Sequence, residues 1–299
     1  MPSEPLLPIR EISRLTGVNP VTLRAWERRY GLVVPQRTSK GHRLYSSDQV
    51  ERIRSILSWL NRGVAVSQVL PLLDSDKSPE QSIPGDDWQA LRTHLTECIA
   101  HLAERQLDQQ FNQAMALYPA TTLCEQLLLP LLGHLEARWQ THPTARLEQG
   151  FFHSWLRSKL GLRVYHNNRQ CNGAPAMLIN GGALPFDPQL WLCAWLVSDA
   201  GCPVEVFDST LPARDLALGV EQLGARAVLV SINTAQDSDR LQRTLAPLSV
   251  PKLLFGAAVT LHKHALPTDP DWHLLDSPLA ACRCLQDLKP LAAEKNGPE

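Results

Sequence analysis

A chain of 299 residues, 44% hydrophobic and 20% charged, supports about two domains with proper cores. A net charge of −1 excludes the whole chain from the uniformly basic nucleic-acid binders, but it hides an asymmetry: residues 1–74 hold 11 Lys+Arg against 6 Asp+Glu, the remainder 18 against 24. A basic head on an acidic body places phosphate affinity at one end and limits non-specific adhesion elsewhere.

The first six residues read as a frayed start. Pro8 to Leu15 is expected to be helical, with Ile9, Ile12 and Leu15 inward. Gly17-Val18-Asn19-Pro20 separates it from a second helix, Val21 to Tyr30. Asn19 suits the N-cap, Pro20 the first helical position and Gly31 the stop. Leu23 and Trp26 suit the core, whereas Arg24 and Arg28 share an exposed face, with Glu27 free to pair locally with an arginine. A helix pair whose second member bears arginines has the form of a helix-turn-helix, which puts that member in the DNA major groove. Val33 to Tyr45 reads as two short strands around Thr38-Ser39-Lys40-Gly41, with Lys40, His42 and Arg43 placed to meet phosphate. Ser46-Ser47-Asp48-Gln49 matches a capping box. It opens a helix carrying Val50, Ile53, Ile56, Leu57 and Leu60, closed by Asn61-Arg62-Gly63, and Val66 to Leu73 forms another short helix.

Residues 75–86, rich in Pro, Gly and polar side chains, read as a linker. Helical patterns then cover Trp88 to Leu107, Phe111 to Leu117, Thr121 to Arg138 and Ala145 to Arg163, a bundle of about four helices over 87–168. Trp139, Trp155 and the Phe151-Phe152 pair read as core filling. From Ala174 short apolar strands alternate with helices. The strands are Ala176–Asn180, Val204–Asp208, Ala227–Asn233, Lys252–Gly256 and Trp272–Asp276. The helices are Pro188–Asp199, Pro212–Leu223, Asp237–Leu245, a short one near Thr260–His264, and Pro278–Leu288. This alternation over 174–291 implies an α/β doubly wound parallel sheet of flavodoxin-like type, with ligands bound at the carboxyl ends of its strands. Asn180-Gly181-Gly182, Ser231-Ile232-Asn233 and Gly256-Ala257-Ala258 lie at such ends; a tight βα turn accounts for the first better than a phosphate does. Residues 292–299 read as a disordered tail.

Seven cysteines form no C-x-x-C and no zinc spacing with histidine, so they read as reduced, packed thiols. No signal peptide and no apolar run of membrane length is present, and the expectation is a cytoplasmic protein without membrane contact. The histidines are scattered, and no Ser/His/Asp arrangement, P-loop or G-x-G-x-x-G supports catalysis, so no enzyme, catalytic residue, metal or cofactor is expected.

The stretch TLRAWERRYG, followed by a Pro, an Arg and then GHRLYS, resembles the winged helix-turn-helix of MerR-type transcription regulators from about Leu7 to Leu73. The resemblance implies a multi-domain regulator with DNA-binding positions Thr22, Arg24, Arg28, Arg29 and Tyr30 on the helix and Arg37, Lys40, His42, Arg43 and Tyr45 on the wing, in a domain of residues 1–74. Double-stranded promoter DNA is the implied partner and a homo-oligomer the implied state, with RNA polymerase or a regulatory protein as a further candidate partner. The whole order, reader, bundle and flavodoxin-like domain, resembles the CarH/LitR- and MlrA-like branch, in which the CarH-type second half binds cobalamin. Its Asp/Glu-x-His-x-x-Gly signature is replaced here by Leu184, Phe186 and Gln189, the nearest acid being Asp187. Of the bundle signature Trp139 remains, but Gln149-Gly150 stand where Glu-His belongs. The last glycine pair reads Gly256-Ala257. The cobalamin-like domain is therefore expected to serve oligomerisation or another input. The rivals are a corrinoid- or small-molecule-binding sensor or enzyme with an accessory reader, and an adaptor that no longer reads DNA.

Overall fold

The structure is a computed structural model that describes residues 6–73, 86–141, 143–182, 185–262, 266–267 and 269–288. The expected frayed start falls outside them up to residue 5, as do linker positions 75–85 and the tail. The chain forms two compact units, Met1–Phe152 and His153–Glu299.

In the first unit a strand, β1 (Leu7–Pro8), precedes α1 (Ile9–Thr16), so the first helix starts one residue later than its apolar spacing suggests. Gly17 ends α1 in the left-handed region at φ 70°. The next helix, α2 (Pro20–Ala25), is capped by Asn19, whose side chain accepts from the N–H groups of Val21 and Thr22. It runs on as a π-helical turn, Trp26–Tyr30, closed by Gly31 at φ 61°. The wing is β2 (Gln36–Arg37) and β3 (Arg43–Tyr45), joined by a turn in which Thr38 donates to His42 O and Gly41 to Thr38 O. β3 lies between β1 and β2, antiparallel to both. The expected two-stranded wing is thus a three-stranded sheet. Two residues at the chain start are too few to show an alternating pattern.

Helices α3 (Ser47–Asn61) and α4 (Val66–Leu73) follow. Ser46 stands at the N-cap of α3, but its side chain caps nothing; Gln49 instead accepts from the N–H of Val34 at 3.1 Å. The reciprocal capping box is therefore not made. A tertiary donor takes the glutamine that would have closed it.

The span Trp88–Leu107 is not one helix but two, α5 (Asp86–Ala100) and α6 (Glu104–Leu117). Leu102 breaks them at φ 54°, the only non-glycine at positive φ among the described residues, while Ala103 N–H returns to Cys98 O. Three carbonyls of the ending helix are satisfied at the break, Glu97 by the His101 amide, Ile99 by the Leu102 amide and Cys98 by the Ala103 amide. α7 (Ala120–Leu123), a π-helical turn (Cys124–Leu128) and α8 (Leu129–Trp139) form one continuous apolar rod, and α9 (Ala145–Asn168) follows. Phe152 and Trp155 are buried, as expected of core-filling aromatics.

The second unit is built on five parallel strands, β4 (Ala176–Asn180), β5 (Val204–Phe207), β6 (Ala227–Ser231), β7 (Lys252–Phe255) and β8 (Trp272–Leu275), in the order β5-β4-β6-β7-β8. Helices α10 (Pro188–Asp199), α11 (Ala213–Leu223), α12 (Ser238–Leu245) and α13 (Pro278–Asp287) alternate with them, and a 3-10 turn, Val259–His262, stands where a short helix was expected. Side chains alternate across the pleat. Met177, Ile179, Val228, Val230 and Leu254 pack in one core with Leu216, Val220 and Leu245 of α11 and α12. α10 and α13 pack on each other, α10 also against β4 and α13 against β7. Helices lie on both faces, which is the doubly wound arrangement expected. All cysteines are free thiols, four of them buried.

Candidate nucleic-acid interface

The period of the second helix divides its residues cleanly. Thr22, Leu23 and Trp26 are buried, whereas Arg24, Arg28 and Arg29 are exposed and have no ion-pair partner among the described residues. Tyr30 is half-buried against the core of the head. On the wing Arg37, Lys40 and His42 are exposed. Arg43 keeps only 13% of its side chain exposed, and Tyr45 is fully buried. Eight of the ten positions named from the sequence therefore retain some exposed surface, while Thr22 and Tyr45 belong to the core. Burial is the first cause that raises the Tyr45 phenol above its ordinary range.

Glu27 does not pair along its own helix. It reaches the wing, where Arg37 donates to it at 2.7 Å and Arg43 donates to its other oxygen. Burial pushes the carboxyl up, but the hydrogen bonds and charges of Arg43 and Arg37 together outweigh it and hold the carboxyl below its usual range. One acid thus clamps both wing strands to the second helix and fixes the distance between the two basic surfaces. Arg52 performs a related task by donating to Leu32 O at 2.7 Å, just past Gly31. Both contacts span more than nine residues, which is why helical spacing pointed instead to a local partner for Glu27.

The head is also bonded to the helices that follow it within the same unit. Trp26 Nε1 donates to Leu117 O at 2.9 Å, Trp88 Nε1 to Gly63 O at 2.9 Å, and Val66 N–H to the Tyr118 hydroxyl at 3.2 Å. Thr122 donates to the Asn61 side chain at 2.9 Å. Buried indole N–H groups need acceptors, and here each finds one across that seam.

Residues 7–76 match the family model described as MerR HTH family regulatory protein. The chain is 34% identical over 206 residues to the HTH-type transcriptional regulator MlrA of Salmonella typhimurium, an alignment covering 69% of this chain and 81% of that protein. It belongs to the MerR family of transcriptional regulators. The HTH-type transcriptional repressor CarH of Myxococcus xanthus is 25% identical over 292 residues, covering 88% of this chain and 95% of that protein. The solved monomethylamine corrinoid protein of Methanosarcina barkeri aligns at 14% identity and a TM-score of 0.49, covering 67% of this chain and 99% of that one, a likeness too slight to carry an inference.

In this MerR-family chain the sheet order is that of flavodoxin-like folds, whose ligand crevice opens between the first and third strands, here β4 and β6. That crevice is bonded to itself. Gly181 N–H donates to Ser231 O at 3.0 Å, and a Cβ at Gly181 would meet the same oxygen at 2.8 Å. Asn233 Nδ2 donates to both oxygens of Asp187, at 2.9 and 2.8 Å. Asp187, 6% exposed, caps α10 through the N–H groups of Gln189 and Leu190, and burial pushes its carboxyl up against the pull of those bonds. Asn180 accepts from Gly182 N–H at 2.9 Å, the tight βα turn expected there.

These residues do not fit a cobalt-ligating site. Phe186, at the position the family resemblance gives to histidine, is 9% exposed and lies against the His153 ring at 5.0 Å between centroids. It has no lone pair to donate. Burial lowers the His153 imidazole to about 4. His166 is exposed and bonded to the Gln170 side chain at 2.8 Å, and Leu184 lies outside the described residues. In the bundle, Trp139 donates to Glu148, which Arg138 and Thr144 also hold.

Proposed function

We propose that this chain reads double-stranded promoter DNA as a homo-oligomeric transcription regulator, through Arg24, Arg28 and Arg29 in the major groove and Arg37, Lys40 and His42 along the phosphates, with Arg43 holding the wing. The observation that carries the reading is the Glu27 clamp, which makes one rigid basic surface out of helix and wing. Its relatives' names, transcriptional regulator and repressor, support the same reading and give no support to an enzyme. Among the described residues no helix is long and apolar enough to cross a membrane. The second half serves oligomerisation or an input other than cobalamin, and RNA polymerase or a regulatory protein is a candidate partner. A mobility-shift titration of full-length protein on promoter fragments against random duplex, repeated across salt, tests it. Preference for particular fragments at physiological salt is expected; equal binding to all sequences would overturn the reading.

A further inference from the structure

Val21 stands at the second position of the reading helix. Asn19 Oδ1 accepts from its N–H at 2.6 Å, so its backbone is held in place. The residue is 55% exposed, while Leu23 and Trp26 of the same helix are fully buried. With 3.6 residues per turn, Val21, Arg24 and Arg28 fall on one face. Val21 is not part of the apolar core of the head. The first turn of a helix favours acidic side chains through the macrodipole, and none is present. A β-branched residue is also a middling helix former, and an exposed one gains little from packing. A surface meant to meet DNA inverts both preferences: an acid would repel phosphate, and an apolar group has a partner in the groove.

That partner follows from the chemistry of base edges. In the major groove the one apolar group displayed is the 5-methyl of thymine. Residues at the N-terminal end of a recognition helix are those that approach base edges. Three residues of helix rise about 4.5 Å, and stacked base pairs are about 3.4 Å apart. A base touched by Val21 is therefore one or two pairs from the one Arg24 addresses. We infer that Val21 is a specificity-determining residue that selects a thymine by packing on its methyl group. The inference rests on the DNA-reading role proposed above and adds a base to it.

The test uses full-length protein. Selection from a random duplex library gives the preferred half-site, and each thymine in it is then replaced by deoxyuracil, which removes the methyl alone. One such replacement per half-site should weaken wild-type binding about 3- to 10-fold, the scale of one buried methyl. Val21→Ala should lose that penalty at that position only, Val21→Ile should keep it, and both should retain the wild-type salt slope because valine meets no phosphate. A flat deoxyuracil scan, or a Val21→Ala protein that responds like wild type, overturns the inference while leaving DNA reading intact. A wild-type protein that selects no sequence overturns the DNA reading itself.

Discussion

Lys40 and Arg43 sit three residues apart on the wing and have different physical roles. Lys40 lies exposed in the turn, whereas Arg43 is mostly buried against Glu27. Lys40→Ala should reduce the slope of log K against log salt by about one while leaving thermal stability unchanged. Arg43→Ala should leave most of that slope and instead lower stability by about 1–3 kcal/mol, since it strips one partner from a largely buried carboxylate. Thermal melts beside salt titrations separate the two effects. Glu148 is a second buried acid, 2% exposed and held by Arg138, Thr144 and Trp139. The Arg138 hydrogen bond, first among the causes, lowers its carboxyl from 4.5 to about 2. A carboxyl depressed on folding contributes stability above its unfolded value, and that contribution is lost as pH falls through the folded one. Glu148→Gln should therefore cost on the order of 2–3 kcal/mol at neutral pH. Its deficit against wild type should shrink as pH falls from 4.5 towards 2, in denaturant unfolding followed across pH.

Among the elements, the turn after β7 shows what close packing demands. Gly256 has φ 124°, and a Cβ there would meet Ile232 O at 2.6 Å and Asn233 Oδ1 at 2.7 Å. Neither the backbone angle nor the space admits a side chain, and Ile232 O also accepts from Ala258 N–H at 3.1 Å, so it cannot move away freely. Gly256→Ala should destabilise the second unit by about 2–4 kcal/mol, read from its unfolding transition. An unchanged transition would mean that the turn after β7 is looser than its hydrogen bonds require. The seam between head and helices makes a related point. Trp26 lies on the reading helix but spends its N–H on Leu117, so the orientation of that helix is set partly outside the helix-turn-helix itself.

For the whole molecule, self-association is expected to reside in residues 87–299. Because the head is hydrogen-bonded to helices of residues 86–123 within one unit, the test uses the full chain: sedimentation at micromolar concentration should find an oligomer, and a monomer would contradict this. Corrin binding is expected to be absent. After dialysis against adenosylcobalamin in the dark, the absorbance spectrum should be that of protein alone. A stoichiometric corrin band would mean that Phe186 is not the residue at the ligand position or that another imidazole has replaced it.

Much of this was legible in the amino-acid sequence, because the signals involved are local. Asn19-Pro20 and Gly31 mark the ends of the reading helix by backbone chemistry within a few residues. The five strands of the second unit are short apolar runs between turns, and their starts were legible residue by residue. The motif TLRAWERRYG carries family identity in adjacent residues, and the substitution at Phe186 is visible without coordinates. Tertiary structure alone decided the rest. Whether Arg43 meets solvent or a carboxylate depends on where Glu27 points, and that is settled by packing sixteen residues away. The helix break at Leu102 lies in an unbroken helical pattern and follows from two antagonistic demands, apolar burial on either side and a left-handed backbone between them. The glutamine that completes a capping box on paper is claimed by Val34. The sequence placed Asn180-Gly181-Gly182 and Ser231-Ile232-Asn233 at strand ends, but only the fold showed that Asn233 reaches across to bond the Asp187 carboxylate. Sequence periodicity reports which side of an element faces inward; it does not report which partner waits there, because that partner is brought in by chain distant in sequence.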